Sequence, residues 1–344
     1  MTDRRIDLVT FGEAMLRLTP PAFQRLEQAS SLDLHVGGAE LNVAVAASRL
    51  GVPARWVSRL TESAIGRLVA SRAREHDVDV SCVQWTPDDR VGVYFAELGA
   101  APRASNVLYD RSGSAISRVK PGTIDWRQAL EGARWFHVSG ITPALSESAA
   151  NVTAEALEAA KGLGLTVSYD LNYRSKLWSA DSARRVQEPL MRLVDVLITT
   201  EEDARVVFGI EGGHSTAGYE SVDARSYEPV ARALQDRFNF TAVAVTLREN
   251  PRVWLNTWSA LLVSDDRVFE GPRFEVEVVD RIGAGDAFSG GLIAGRLATN
   301  DWESAVRQGT ALGALAHTTP GDFSLSTRED VEQLLKGGRL RVSR

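Results

Sequence analysis

The sequence predicts a three-layer α/β/α fold on a mostly parallel central sheet, with a small β insertion that reads as a lid or an accessory sheet. Two observations carry this. Short β-rich runs alternate with helix-forming stretches over most of the 344 residues, which is the pattern of βα units with helices on both sheet faces. One segment, residues 90–119, breaks that rhythm with alternating strands and turns and no helical pattern. The length suits one large α/β domain or one domain with a small appendage.

In chain order, "RIDLVTFG" reads as the first strand, and "GGAELNVAVAASRLG" as a helix stopped by Gly51 and Pro53. The lid segment follows. Then "ARWFHVSGI", "GLTVSYDLN", "VDVLITT" and "FTAVAVTL" read as strands, each followed by good helix formers such as "ESAANVTAEALEAAKGLG". Residues 211–227 are polar and glycine-bearing, and a loop is expected there. In such sheets ligands bind outside the carboxyl ends of the strands. A long open sheet edge in the lid is a liability unless paired, so a homo-oligomer, dimer or higher, is expected through the lid.

Composition narrows the function. The chain is 44% hydrophobic and 24% charged with net charge −6 and no basic block, which argues against a nucleic-acid or anionic-membrane surface. A single cysteine, Cys82, excludes an intrachain disulfide and fits a reducing, cytoplasmic location. No window of 18 apolar residues and no cleavage pattern after "MTDRRIDLVTF" point to a membrane span or a leader. The five histidines are scattered, so no zinc site is expected.

"VVDRIGAGDAFSGGLIAG", Val278 to Gly295, carries the chemistry. It is not a dinucleotide fingerprint, because the third glycine would be Phe288 and no first βαβ unit surrounds it. A Walker A loop fails too, because Leu292 follows Gly290-Gly291 where lysine is needed. What remains is a helix start: Gly283, Ala284 and Gly285 offer backbone N–H groups where the dipole favours an anion. Asp286 sits in the first turn. It is either a helix-stabilising charge worth roughly 0.3–1 kcal/mol or a carboxylate placed to take a proton from a hydroxyl attacking phosphorus. Physics alone leaves both open.

"DRIGAGDAFSGG" resembles the D-T-x-G-A-G-D signature of the ribokinase (PfkB) family of carbohydrate kinases, with Arg281 in the threonine position. A second family signature, the N-terminal glycine pair, appears as "VGGAELNVAVAASRLG", Val36 to Gly51. The likeness spans the chain and implies a single ribokinase-like kinase domain, 1–344, with the lid formed mainly by residues about 12–36 and 90–119. It also implies ATP as donor, Mg²⁺ bound mainly through the nucleotide phosphates, Asp286 as general base, and the Gly283–Gly285 amides as anion hole. Asp280 is expected to shape the turn.

The sugar must be read from elsewhere. Gly37 and Gly38 precede Asn42 at a helix start; they fit close approach to a ligand or a tight turn, and Asn42 fits sugar hydroxyls or helix packing. Tyr94, Tyr109 and Arg111 lie in the lid segment, and Arg174 just beyond a strand end. Single arginines are usually solvated, but two converging on one pocket would fork a carboxylate. "GGAELNVA", "YDRSGSA", "SGITPAL", "DLNYRSKLWS" and "TTPGDFS" resemble the family's 2-keto-3-deoxygluconate kinases more than its fructokinases. That resemblance implies Gly37, Gly38, Asn42, Tyr94, Tyr109, Arg111, Asn172 and Arg174 around a sugar acid, with Asp322 reaching a hydroxyl from the C-terminal side. A neutral sugar on the same scaffold is the alternative; a non-catalytic sensing relative is a remote one.

By the same likeness the nucleotide lies near Thr200, Thr246, Arg248, the Gly283–Gly285 loop, Thr310 and Gly313. Two departures stand out: "TLREN" lacks the glycines of the family's T-x-G-x-x-G stretch, and "TEED" replaces N-x-x-E, so no metal role is assigned to Asp203.

Overall fold

A computed structural model describes residues 6–211 and 224–337. Its main sheet has nine strands. In spatial order eight of them run Arg267–Glu270, Leu255–Ser264, Ala242–Arg252, Val196–Thr199, Thr166–Asp170, Trp135–Ser139, Leu8–Phe11 and Ala54–Val57. Pairing is parallel from Ala54–Val57 through to Ala242–Arg252. It turns antiparallel at Leu255–Ser264, which also pairs with Phe274–Glu277. The expected "mostly parallel" sheet is what is found.

Strands such as Leu8–Phe11, Trp135–Ser139 and Val196–Thr199 are buried at every position, because helices cover both faces. One apolar cluster packs Ala39–Arg49, Ala64–Glu75, Ala284–Thr299 and Trp302–Ala316 on one face. The other packs Glu147–Gly162, Ala180–Leu190, Glu201–Phe208 and Glu228–Phe238 on the opposite face. Helix starts follow their caps: Ser146, Thr200 and Asp301 each accept an N–H bond from the first turn. Among the described residues no helix is long and apolar enough to cross a membrane.

The lid is a separate four-stranded sheet in the order Asp33–Gly37, Met15–Thr19, Gly92–Glu97, Asn106–Asp110. Register divides its faces. His35, Arg17, Tyr94 and Tyr109 form one cross-strand row, and Leu34, Leu18, Phe95 and Leu108 form another. The first row holds two cleft-lining tyrosines; the second ends in exposed Leu34 and Leu108. One boundary needs correcting. The lid ends at Asp110, and the next residues enter a short 3₁₀ turn, Ile116–Arg118, whose Ile116 and Val119 join the main core. Apolar burial claims that stretch. The loop expected at 211–227 lies outside the described residues apart from its two ends; Ala224–Tyr227 is a 3₁₀ turn.

Candidate active site

Between the lid and the carboxyl ends of the central strands lies a cleft of about 650 Å³. At its centre is the start of helix Ala284–Thr299. Gly283 is left-handed (φ 85°), and a Cβ there would come within 2.1 Å of the Asp322 carbonyl oxygen, so only glycine fits. The first intrahelical bond runs from the Ala287 N–H to the Gly283 carbonyl. The N–H groups of Ala284, Gly285 and Asp286 therefore precede the helical ladder and belong to residues lining the cleft.

Asp286 is held by the first large helix. The Gly38 N–H donates to Asn42 Oδ1 (3.2 Å), which fixes the amide orientation, and Asn42 Nδ2 then donates to Asp286 Oδ2 at 2.6 Å. Burial pushes the Asp286 carboxyl up to about 6, against the opposing pull of the Asn42 bond and the Arg174 charge. The carboxylate is thus ionised at neutral pH and basic enough to accept a proton. Asn42 lines the cleft as expected, and its side-chain bond goes to Asp286.

The residues expected around the sugar converge. Gly37, Gly38, Asn42, Tyr94, Tyr109, Arg111, Asn172, Arg174 and Asp322 all line the cleft. Tyr94 and Tyr109 are directly opposed across two lid strands, with ring centroids 5.8 Å apart. Asn172 takes a left-handed φ of 40°, which asparagine tolerates, and its N–H donates to Asp170 Oδ1 at 3.2 Å. Asp322 seats between two glycines: a Cβ on Gly37 would lie 2.1 Å from its Oδ1, and Gly283 abuts its carbonyl. Gly37 thus makes room for the Asp322 carboxylate, and Gly283 for its backbone carbonyl.

Arg111 corrects the expected two-arginine fork. Its Nη2 pairs with Glu13 Oε2, and both side chains are buried. The Arg111 charge is already neutralised, whereas Arg174 forms no ion pair within 4 Å among the described residues.

Of the residues expected near the nucleotide, Thr200, Thr246 and Arg248 line the cleft. Thr200 also caps helix Glu201–Phe208 by accepting from the Asp203 N–H at 3.1 Å. Thr310 and Gly313 do not line it. Thr310 is fully buried, its hydroxyl bonded to the Val306 carbonyl and its own carbonyl to Trp258 Nε1. A Cβ on Gly313 would meet the Trp258 ring at 2.8 Å. Trp258, whose indole packs on both residues, separates them from the cleft. The missing T-x-G-x-x-G loop also has a structural counterpart: the chain continues as one strand through Arg252 and returns as a hairpin, with Arg248 opposite Trp258. Arg174, Arg248 and Arg281 all line the cleft, and no ion pair within 4 Å engages any of them among the described residues.

The family described as pfkB family carbohydrate kinase matches residues 5–328. The chain belongs to that family. It is therefore a carbohydrate kinase. It is 42% identical over 338 residues, 98% of this chain and 99% of the relative, to a 2-dehydro-3-deoxygalactonokinase of Haloferax volcanii. The crystal structure of a 2-dehydro-3-deoxygluconokinase from Thermotoga maritima is 40% identical, with a TM-score of 0.91 over 97% of this chain and 99% of that one. A structure from E. coli in complex with ATP and Mg²⁺ is 21% identical, covers 96% and 99%, and shares the ribokinase-like fold with a TM-score of 0.81.

Four residues at or beside the site were not among the candidates read from sequence. Glu13 and Arg17 sit beside or within an apolar-looking strand, "MLRLT", whose position 17 would ordinarily face solvent. Asp170 and Arg281 also border the cleft or its loop. Burial holds the Asp170 carboxyl well above its ordinary range, with Asp286 and Asp203 adding repulsion. Burial likewise pushes Asp203 up to about 6, opposed by Arg174. Only Asp170, last residue of "SYD" at a strand's carboxyl end, could have been flagged by position.

Proposed function

We propose that the chain is an ATP-dependent sugar-acid kinase, phosphorylating 2-dehydro-3-deoxygluconate at its 6-hydroxyl. The carrying observation is Asp286, held by Asn42 at 2.6 Å beside the amides that precede the hydrogen-bond ladder of a helix start. Asp286 takes the proton of the 6-hydroxyl as that oxygen bonds to the γ-phosphorus, and the bond to the β–γ bridging oxygen breaks, releasing ADP. A base of this kind contributes on the order of 10²–10⁴-fold. The Ala284–Asp286 amides stabilise charge on the phosphoryl oxygens, each donor being worth about 10²–10³-fold. Arg248 and Arg281 face the polyphosphate, and the lid excludes water.

The donor chemistry fits Mg²⁺. Among the described residues no cluster of three or more ligands could cage a metal, while Asp170 and Asp203 offer oxygens whose mutual repulsion a hard cation relieves. These two would hold it alongside the nucleotide phosphates, where the ion supplies charge neutralisation. Arg174 addresses the sugar carboxylate, Tyr94 and Tyr109 pack against the carbon skeleton, and Asp322 accepts from a hydroxyl.

The likeness to 2-dehydro-3-deoxyhexonate kinases supports the acid over a neutral sugar. The Glu13–Arg111 pair is the observation that favours the neutral-sugar reading, since it removes one cation from the expected fork. Coupled ADP release across 2-dehydro-3-deoxygluconate, its galacto epimer, fructose and ribose decides it. Turnover with either acid at least tenfold more efficient than with fructose is expected; the reverse order refutes the acid.

Self-association through the lid belongs to the same proposal. The outer row ending in Leu34 and Leu108, 43% and 54% exposed, is the kind of sheet face that a second copy covers. Light scattering of the wild type and of Leu34→Lys/Leu108→Glu should give a dimer or larger species and a monomer respectively; a monomeric wild type ends the idea.

A further inference from the structure

Arg17 lies on the lid strand Met15–Thr19, is 1% exposed, and does not line the cleft. Its guanidinium nonetheless ends on two carboxylates from different loops. Nη2 meets Asp280 Oδ2 at 2.5 Å, Nη1 meets Asp322 Oδ2 at 3.2 Å, and Nε donates to Thr19 Oγ1 at 2.9 Å.

Each carboxylate shapes a different part of the site. Asp280 accepts from the Ile282 N–H at 3.1 Å and the Gly321 N–H at 3.2 Å, and so fastens the turn into Gly283 to the Gly321–Asp322 segment. Asp322 lines the cleft, and the lid grips both its oxygens: Oδ2 by Arg17 and Oδ1 by the Tyr94 hydroxyl. Two lid strands therefore set the plane of the carboxylate offered to the sugar, and one of them also braces the anion-hole turn. A buried ion cluster of this kind is a poor source of stability, because apolar groups of similar volume often do as well or better. What it supplies is a fixed geometry across three segments.

We propose that Arg17 is a positioning residue for phosphoryl transfer, acting through Asp322 on sugar binding and through Asp280 on the Gly283–Asp286 anion hole. The sugar half of this statement rests on the reading of Asp322 as a sugar contact. Lysine at position 17 keeps the charge and loses the fork, so it can serve one carboxylate at a time.

The test is steady-state kinetics of Arg17→Lys, Asp322→Asn and the double variant, with Arg17→Met as a second substitution. The probe is 2-dehydro-3-deoxygluconate, or fructose if the wild type prefers it. Arg17→Lys should raise the sugar KM and lower kcat, each about 10-fold, the scale of one charged hydrogen bond, with the ATP KM within twofold of wild type. On the Asp322→Asn background the effect on sugar KM should vanish while the kcat effect persists. Arg17→Met should follow the same split more strongly. Wild-type sugar KM and kcat in a folded Arg17→Lys refute the proposal. So does a KM effect that multiplies undiminished in the double variant. Turnover of fructose but neither sugar acid by the wild type refutes the substrate reading and leaves the Arg17 comparison intact on fructose.

Discussion

The two halves of the cleft handle charge in opposite ways. At and beside the lid the cations are already matched: Arg17 to Asp280 and Asp322, Arg111 to Glu13. Elsewhere on the cleft wall, Arg174, Arg248 and Arg281 have no ion pair within 4 Å among the described residues. Internal pairing fixes positions for hydroxyl groups and leaves little net field. Unmatched guanidinium groups do the reverse, holding a field that an incoming polyanion satisfies. Asp286 stands at the boundary, close enough to Arg174 for its carboxyl to be pulled down and to Asp322 for it to be pushed up.

The largest effect is expected at that boundary. Asp286→Asn should lower kcat by roughly 10²–10⁴-fold, measured by ADP release. The same assay across pH should lose activity below about pH 6, where the carboxyl takes up its proton; an acid limb unchanged in position when Asn42 is replaced by alanine would separate Asp286 from that titration. Next comes the paired side. Glu13→Gln leaves Arg111 buried without its counter-charge, so unfolding by urea should show a loss of about 3 kcal/mol. An unaltered midpoint would mean that the pair is solvated in practice.

The unpaired side should respond in binding instead of stability. Arg248→Ala should raise the ATP KM about 10–100-fold, in line with a lost charge-assisted bond, while leaving the sugar KM and the urea midpoint near wild type. Arg174→Ala should raise the KM of a sugar acid about tenfold and barely move that of fructose. Equal losses for both sugars would remove the carboxylate contact.

The smallest effect concerns stability at the base itself. The folded pKa of Asp286 is raised, so its charged form is disfavoured in the fold above about pH 6, and the penalty disappears once both folded and unfolded states are protonated, below its ordinary value near 3.8. Asp286→Asn should therefore stabilise the protein at pH 7.5, with the gain lost at pH 3.5. A gain of equal size at both pH values would assign it to packing.

The same contrast explains what could be read from sequence. Repeated βα alternation is a local signal, and it specified the layers and the mostly parallel sheet. The glycine loop was legible because a helix N-terminus is local too. Sugar-side candidates such as Tyr94, Tyr109 and Arg174 come from short runs with distinctive composition, and all three line the cleft. What stayed hidden depends on distant partners. Arg17 lies 263 residues from Asp280 and 305 from Asp322, and nothing in "MLRLT" says that both faces of that strand are covered. Arg111 looked free because Glu13 is 98 residues away. Thr310 and Gly313 stand apart from the cleft because Trp258, on another strand, packs against both.

The central claim is that Asp286 moves a proton while other residues hold the sugar. Calorimetric titration of Asp286→Asn with 2-dehydro-3-deoxygluconate, in the presence of a non-hydrolysable ATP analogue and Mg²⁺, tests it most directly when set beside the turnover of the same protein. The account predicts sugar binding within about threefold of wild type and turnover reduced at least 10²-fold. Near-normal turnover, or loss of binding in proportion to turnover, would contradict it.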